Sequence, residues 1–142
     1  MTLNDLALAT TIILLFPMMY FLISSLTFFL RPFQEPRVTW LLRGLFNVYF
    51  LAVSGFSILA LAAFAGAGRW GVAFAVGTLA ILAIGARRYF LPRIDAQIRA
   101  RDARDPQAIV RLRHLHVGGM IYNAVQFVAV VTAIPFIFPM PG

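Results

Sequence analysis

The chain has 142 residues, of which 61% are hydrophobic and 12% charged, where an ordinary soluble domain carries about 25% charged residues. Its net charge of +7 rests on arginine alone, since lysine is absent, and the lack of cysteine excludes disulfides, thiolate metal sites and cysteine nucleophiles. Uncharged runs from Leu6 to Leu30, Gly44 to Gly68 and Val117 to Gly142 reach membrane-spanning length, and Trp70 to Ala86 comes close at 17 residues, so four spans leave no room for a separate soluble domain.

The first five residues, MTLND, carry no basic region and no small-residue cleavage site follows, so the first apolar run reads as retained. Thr2 and Asp5 have the spacing of a capping box. The first span covers about residues 6–30. Pro17 removes a backbone hydrogen bond inside it and predicts a kink near residues 13–17. Ser24, Ser25 and Thr27 place hydroxyls in its second half, able to bond back or across to another helix. Arg31-Pro32-Phe-Gln-Glu-Pro36-Arg37 stops it.

The second span, about residues 41–67, opens beside Trp40. Trp40 and Trp70 mark the two membrane interfaces, where indoles are favoured. The short Gly66–Gly71 connector predicts a tight antiparallel hairpin with the third span, about residues 70–91. Ala73 and Gly77 form a small-xxx-small pair that lets helix backbones approach closely. Arg87 and Arg88 are expected to snorkel to the headgroups, with Tyr89, Phe90 and Leu91 extending the span.

Residues 87–116 hold eight of the twelve arginines and both histidines. About residues 92–113 read as an amphipathic segment. In its first part Leu91, Ile94 and Ile98 share one side and Arg93, Arg99, Arg101 and Arg104 occupy the rest. Asp95–Arg99 and Arg101–Asp105 are i,i+4 pairs. Asp105-Pro106 predicts an N-cap followed by proline at the first helical position. From Pro106 the helix is expected to run into the fourth span, about residues 114–134, and to end at Pro135, Pro139 and Pro141. At roughly 43 Å it is longer than a bilayer core, so its first turns project from the membrane.

The first and third loops with their flanks carry eleven arginines, against Arg69 alone in the second. The positive-inside rule therefore puts both basic loops in the cytoplasm and both termini outside. It also accounts for the charge better than nucleic-acid binding does.

Polar residues within the spans are the candidate site. His116, Gly119, Asn123 and Gln126 fall within about 80° on one helix, and Arg43, Asn47 and Ser54 share a face of another. Such groups turn inward and find partners, which predicts an interhelical polar seam of Arg43, Asn47, Ser54, His116, Asn123 and Gln126. Structural adhesion is the plainer use of this seam, a ligand site or pathway the sharper one. His114 and His116 point about 200° apart on a helix and cannot share a metal, although Met120 lies one turn from His116. No cofactor, metal site or catalytic set is expected. Arg87, Arg88, Arg93 and Arg99 are candidates for contact with anionic lipid headgroups or a partner's acidic face.

Four motifs carry a resemblance: Leu30-Arg31-Pro32; Leu41-Leu-Arg-Gly-Leu-Phe-Asn-Val-Tyr-Phe50; Leu91-Pro-Arg-Ile-Asp95; and Leu115-His116 with Asn123. Together they resemble a family of four-span membrane proteins containing a domain of unknown function, which includes the eukaryotic transmembrane protein linked to cisplatin resistance. Members often carry asparagine at the Asp95 position and a small hydroxyl residue at the Gly119 position. The resemblance implies a compact four-helix membrane domain, basic loops in the cytoplasm, no established reaction, and a shared seam of Arg43, Leu115-His116 and Asn123. The haem-binding protoporphyrinogen oxidases, also four-span, have a histidine in the first span where this chain has none.

The expectation is thus an all-α, polytopic four-helix bundle of the bacterial inner membrane, one domain over residues 1–142. It is expected to be non-enzymatic, an accessory subunit of a larger membrane complex or a self-associating protein in contact with lipid. The alternative is a small transporter or ligand-binding protein using the seam.

Overall fold

Four helices make up nearly all of the described chain, residues 1–138 of a computed structural model. They are α1 (Leu3–Phe28), α2 (Pro36–Gly66), α3 (Trp70–Asp102) and α4 (Ala108–Ile137). Each is long and apolar enough to cross a membrane. The protein is an all-α, multi-pass membrane bundle. Short connectors make successive helices antiparallel, α2 packs on both α1 and α3, and α4 closes the ring against α3 and α1. The α2 and α4 helices face each other across the diagonal.

Local chemistry sets most of the ends. Thr2 Oγ1 accepts the Asp5 N–H at 3.1 Å while Asp5 Oδ2 accepts the Thr2 N–H at 2.7 Å, the reciprocal capping box. At the end of α2, Gly68 adopts φ +75°. That lets the Arg69 N–H reach the Phe64 carbonyl at 2.8 Å and the Gly68 N–H reach Ala65 at 3.0 Å, a Schellman closure that satisfies carbonyls the helix leaves open. Ala73, Val76, Ala80 and Ala83 of α3 are buried along this hairpin. A Cβ on Gly77 would stand 3.2 Å from the Leu61 side chain, so the small-residue stripe is used within the molecule.

Three boundaries differ from expectation, each at a proline. The α3 helix does not stop at Leu91 but continues through Pro92 to Asp102. Leu91 and Ile94 are buried and Asp95 is held by α2, and these tertiary contacts outweigh the roughly 3 kcal/mol cost of an interior proline. Regular α4 begins at Ala108, two residues after Pro106, while Asp105 Oδ1 accepts the Gln107 N–H at 2.9 Å, the bond expected of a capping carboxylate. At its other end α4 passes through Pro135 to Ile137. Pro139 and Pro141 lie outside the described residues. Pro17 also lies within a continuous α1.

The larger core lies at the arginine end and is rich in aromatic rings: Phe21, Phe28, Phe33, Phe46, Tyr49 and Phe50 are nearly or fully buried, with Leu42, Ile94 and Leu112. The opposite end has a smaller core of Ala7, Ala60, Ala63, Phe64, Ala73 and Val76. Beside it, side chains from all four helices line a partly open apolar cavity of about 190 Å³. Outward faces carry Phe16, Tyr20, Ile23, Leu59, Phe74, Ile81 and Val125. In lipid these faces cost nothing, so interior packing and hydrogen bonds, rather than removal of apolar surface from water, hold the bundle together.

Candidate functional site

Two rungs tie α2 to α3 at the arginine end. Arg43 donates to both oxygens of Asp95, Nε to Oδ1 at 2.5 Å and an Nη to Oδ2 at 3.1 Å, a two-pronged charged pair. One turn deeper, Arg87 donates from Nε and Nη2 to Asn47 Oδ1 at 3.0 and 2.9 Å. The antiparallel packing of α2 and α3 creates both rungs, since each step up α2 meets a step down α3. Asp95 is therefore turned to Arg43, and the Asp95–Arg99 pair along the helix does not form.

The inward residues of α4 make a separate group. Gln126 Oε1 accepts the Tyr49 hydroxyl at 3.0 Å across the diagonal, and Gln126 Nε2 donates to Tyr122 Oη at 2.8 Å. Asn123 Nδ2 donates to the Met18 carbonyl of α1 at 3.0 Å. His116 is buried among Phe28, Phe29 and Phe33, with ring centroids 5.8, 5.2 and 6.0 Å away. His114 is exposed. Ser54 donates back to the Phe50 carbonyl at 2.6 Å.

The six expected seam residues are thus divided. Arg43 and Asn47 turn to α3, while His116, Asn123 and Gln126 turn to the bundle centre, and Ser54 bonds within α2. Diagonal placement of α2 and α4 is the reason: the α2 face bearing Arg43 and Asn47 looks sideways to its neighbour. Tyr49, about 200° round from Asn47, is the α2 residue whose side chain hydrogen-bonds to α4. Nothing in hydropathy marks it, because a tyrosine in a span reads as packing.

The remaining arginines have other partners. Arg101 donates to the Phe33 carbonyl at 3.1 Å and to Thr39 Oγ1 at 2.5 Å. Arg113 donates to the carbonyls of Phe28 at 3.2 Å and Arg31 at 2.9 Å, with its guanidinium 4.4 Å from the Phe33 ring centroid. Both close the α1–α2 connector, where the end of α1 leaves carbonyls open and its dipole favours a cation. Arg69 does the same for α4, donating to the Ile137 carbonyl beside the rings of Phe64 and Phe138. Arg111 pairs with Asp105 at 3.0 Å, and Arg101 with Asp102 at 2.8 Å, in place of the expected Arg101–Asp105 pair. The Gln107 N–H and then Arg111 hold the Asp105 carboxyl below its usual 3.8.

Of the four lipid-contact candidates, Arg87 is tied to Asn47, and Arg93 folds onto Tyr89, its guanidinium 3.7 Å from the ring centroid. Arg88 and Arg99 are exposed and make no hydrogen bond or ion pair among the described residues. With Arg43, Arg87, Asp95, Leu91 and Pro92 they line a cleft of about 420 Å³ between α2 and α3. What this cleft offers chemically is recognition of anions. Among the described residues no three His, Asp or Glu side chains gather as a metal site. No family model, curated protein or solved structure matches the chain.

Proposed function

We propose that this chain is a non-enzymatic integral membrane protein that acts through contacts with other membrane subunits or with itself, and with anionic lipid headgroups. The more specific form is an accessory subunit of a larger complex in a bacterial inner membrane. In this reading the arginine end lies in the cytoplasm with both termini outside, and the chain belongs to the four-span family it resembles. One observation carries it: four polar ties join the helices to each other, Arg43–Asp95, Arg87–Asn47, Tyr49–Gln126 and Asn123–Met18. What remains for others is an apolar outer wall and a cationic end. The test is native mass spectrometry after gentle extraction from the source membrane. Defined other chains bound to the 15.8 kDa protein support the reading, and a clean monomer counts against it.

A second reading is a small transporter or ligand-binding protein. It is favoured by buried polar atoms without a hydrogen-bond partner: both ring nitrogens of His116, Asn123 Oδ1, Ser25 Oγ and Ser57 Oγ. Such atoms are costly where water is absent. His116→Ala and Asn123→Ala separate the two. Loss of a small-molecule adduct with assembly intact favours the second reading, and loss of assembly with no adduct favours the first.

A further inference from the structure

We propose that the cleft between α2 and α3 at the arginine end is a binding site for a lipid headgroup carrying two phosphate charges. Arg43, Arg87, Arg88 and Arg99 line it with Asp95 as the one carboxylate, which leaves a net charge of +3. A single phosphodiester would leave most of that charge unmatched, whereas two phosphates neutralise most of it. The site is also partly built in advance. Arg43 and Arg87 are fixed by Asp95 and Asn47, so their charges are in place before a ligand arrives. Arg88 and Arg99 remain free to close on it. Arginine rather than lysine suits the task, because its planar fork meets phosphate oxygens in pairs.

Depth favours a lipid over a soluble anion. Trp70 and Arg87 are 17 residues apart on α3, or about 25 Å along the helix, which places Arg87 at the interface opposite the Trp70 end. Exposed Trp40 on α2 sits at the same end. Leu91 and Pro92 form an apolar strip between the arginines, suited to a glycerol backbone with phosphates on either side. The inference rests on the membrane placement in the reading above and needs no partner chain.

The test uses delipidated full-length protein in phosphatidylcholine nanodiscs doped with phosphatidylglycerol or cardiolipin at matched total charge, with retained lipid read by native mass spectrometry. Wild type is expected to retain cardiolipin preferentially. The double variant Arg88→Ala/Arg99→Ala, whose side chains hold no other element, should bind about tenfold more weakly. Arg37→Ala/Arg104→Ala removes the same charge outside the cleft and should stay within about twofold. Equal loss in both variants, or no preference for cardiolipin, overturns the site. Displacement of the lipid by millimolar pyrophosphate overturns the lipid source in favour of a soluble phosphate. A lone chain on gentle extraction would sink the subunit reading and leave this measurement unaffected.

Discussion

At Gly119 the bundle is fitted around a missing methyl group. A Cβ there would stand 2.4 Å from the Phe46 ring. That ring cannot easily retreat, being enclosed by Phe21, Phe50 and Phe90 at centroid distances of 5.1, 6.0 and 5.5 Å. Gly119→Ala should therefore lower stability by about 1–3 kcal/mol. The adjacent Gly118→Ala meets Phe90 at an ordinary 3.7 Å and should be neutral or slightly stabilising, as alanine is the better helix former. Thermal unfolding of the two variants in one detergent compares them directly, and equal losses would refute the argument. Arg104 is the complementary case, an arginine at φ 63° in the closing position of α3. Its N–H donates to Arg101 and the Asp105 N–H to Ala100, both at 2.9 Å, the same closure that Gly68 makes on α2. Arg104→Gly is expected to raise stability by about 0.5–1 kcal/mol, since glycine reaches this conformation without steric cost. Position 119 stood out in the sequence only as a small residue on a polar face. Its real neighbour is an aromatic ring from another helix, which no local periodicity reveals.

Among the elements, the four spans were legible because hydropathy and length are local properties. The capping box at Thr2 and the turn at Gly68 were legible for the same reason. The proline-marked boundaries were not, because proline sets a local preference and distant packing overrules it at Pro92 and Pro135. Pairing was the least legible. Arg43 and Asp95 are 52 positions apart, and Asp95 has a plausible but false partner four residues along its own helix. The α3–α4 turn shows what a local carboxylate contributes. Asp105 is held below 3.8, so its stabilising effect on the turn is present above that pH and is lost as the pH falls through the lowered value. Protection of the Gln107 amide, its exchange rate taken relative to the free-chain rate at the same pH, should fall on acidification in the wild type. In Asp105→Asn that protection should already be lower at neutral pH and change less with pH. Identical profiles in the two proteins would exclude Asp105 as the cause.

For the whole molecule, α4 is the element that closes the ring, and it is pinned at both ends by arginines that donate to carbonyls. Arg113 fastens its beginning to the end of α1, and Arg69 fastens its end to the α2–α3 turn. Hydrogen bonds from charged donors contribute about 1.5–3 kcal/mol each. Arg113→Ala should accordingly destabilise the bundle by about 1–3 kcal/mol and loosen α4 against α1. A spin-label or crosslinking distance between those two helices, unchanged in the variant, would argue against this. The charge pattern marked one end of the bundle as basic, but not that two of its arginines, Arg101 and Arg113, are fasteners of the α1–α2 connector and two others, Arg88 and Arg99, are unengaged.

The one-sided placement of arginine has a further consequence for proteolysis. Trypsin cuts after lysine or arginine, and this chain has no lysine. Approached from the face that carries both termini, it offers one cleavage point, Arg69, whose guanidinium is bonded to Ile137 and covered by Phe64 and Phe138. Approached from the other face, it offers free Arg88, Arg99 and Arg104 in and just beyond α3. In sealed vesicles the protein should therefore survive digestion from one side and fall to fragments from the other, so that its own sequence reports its orientation without any tag.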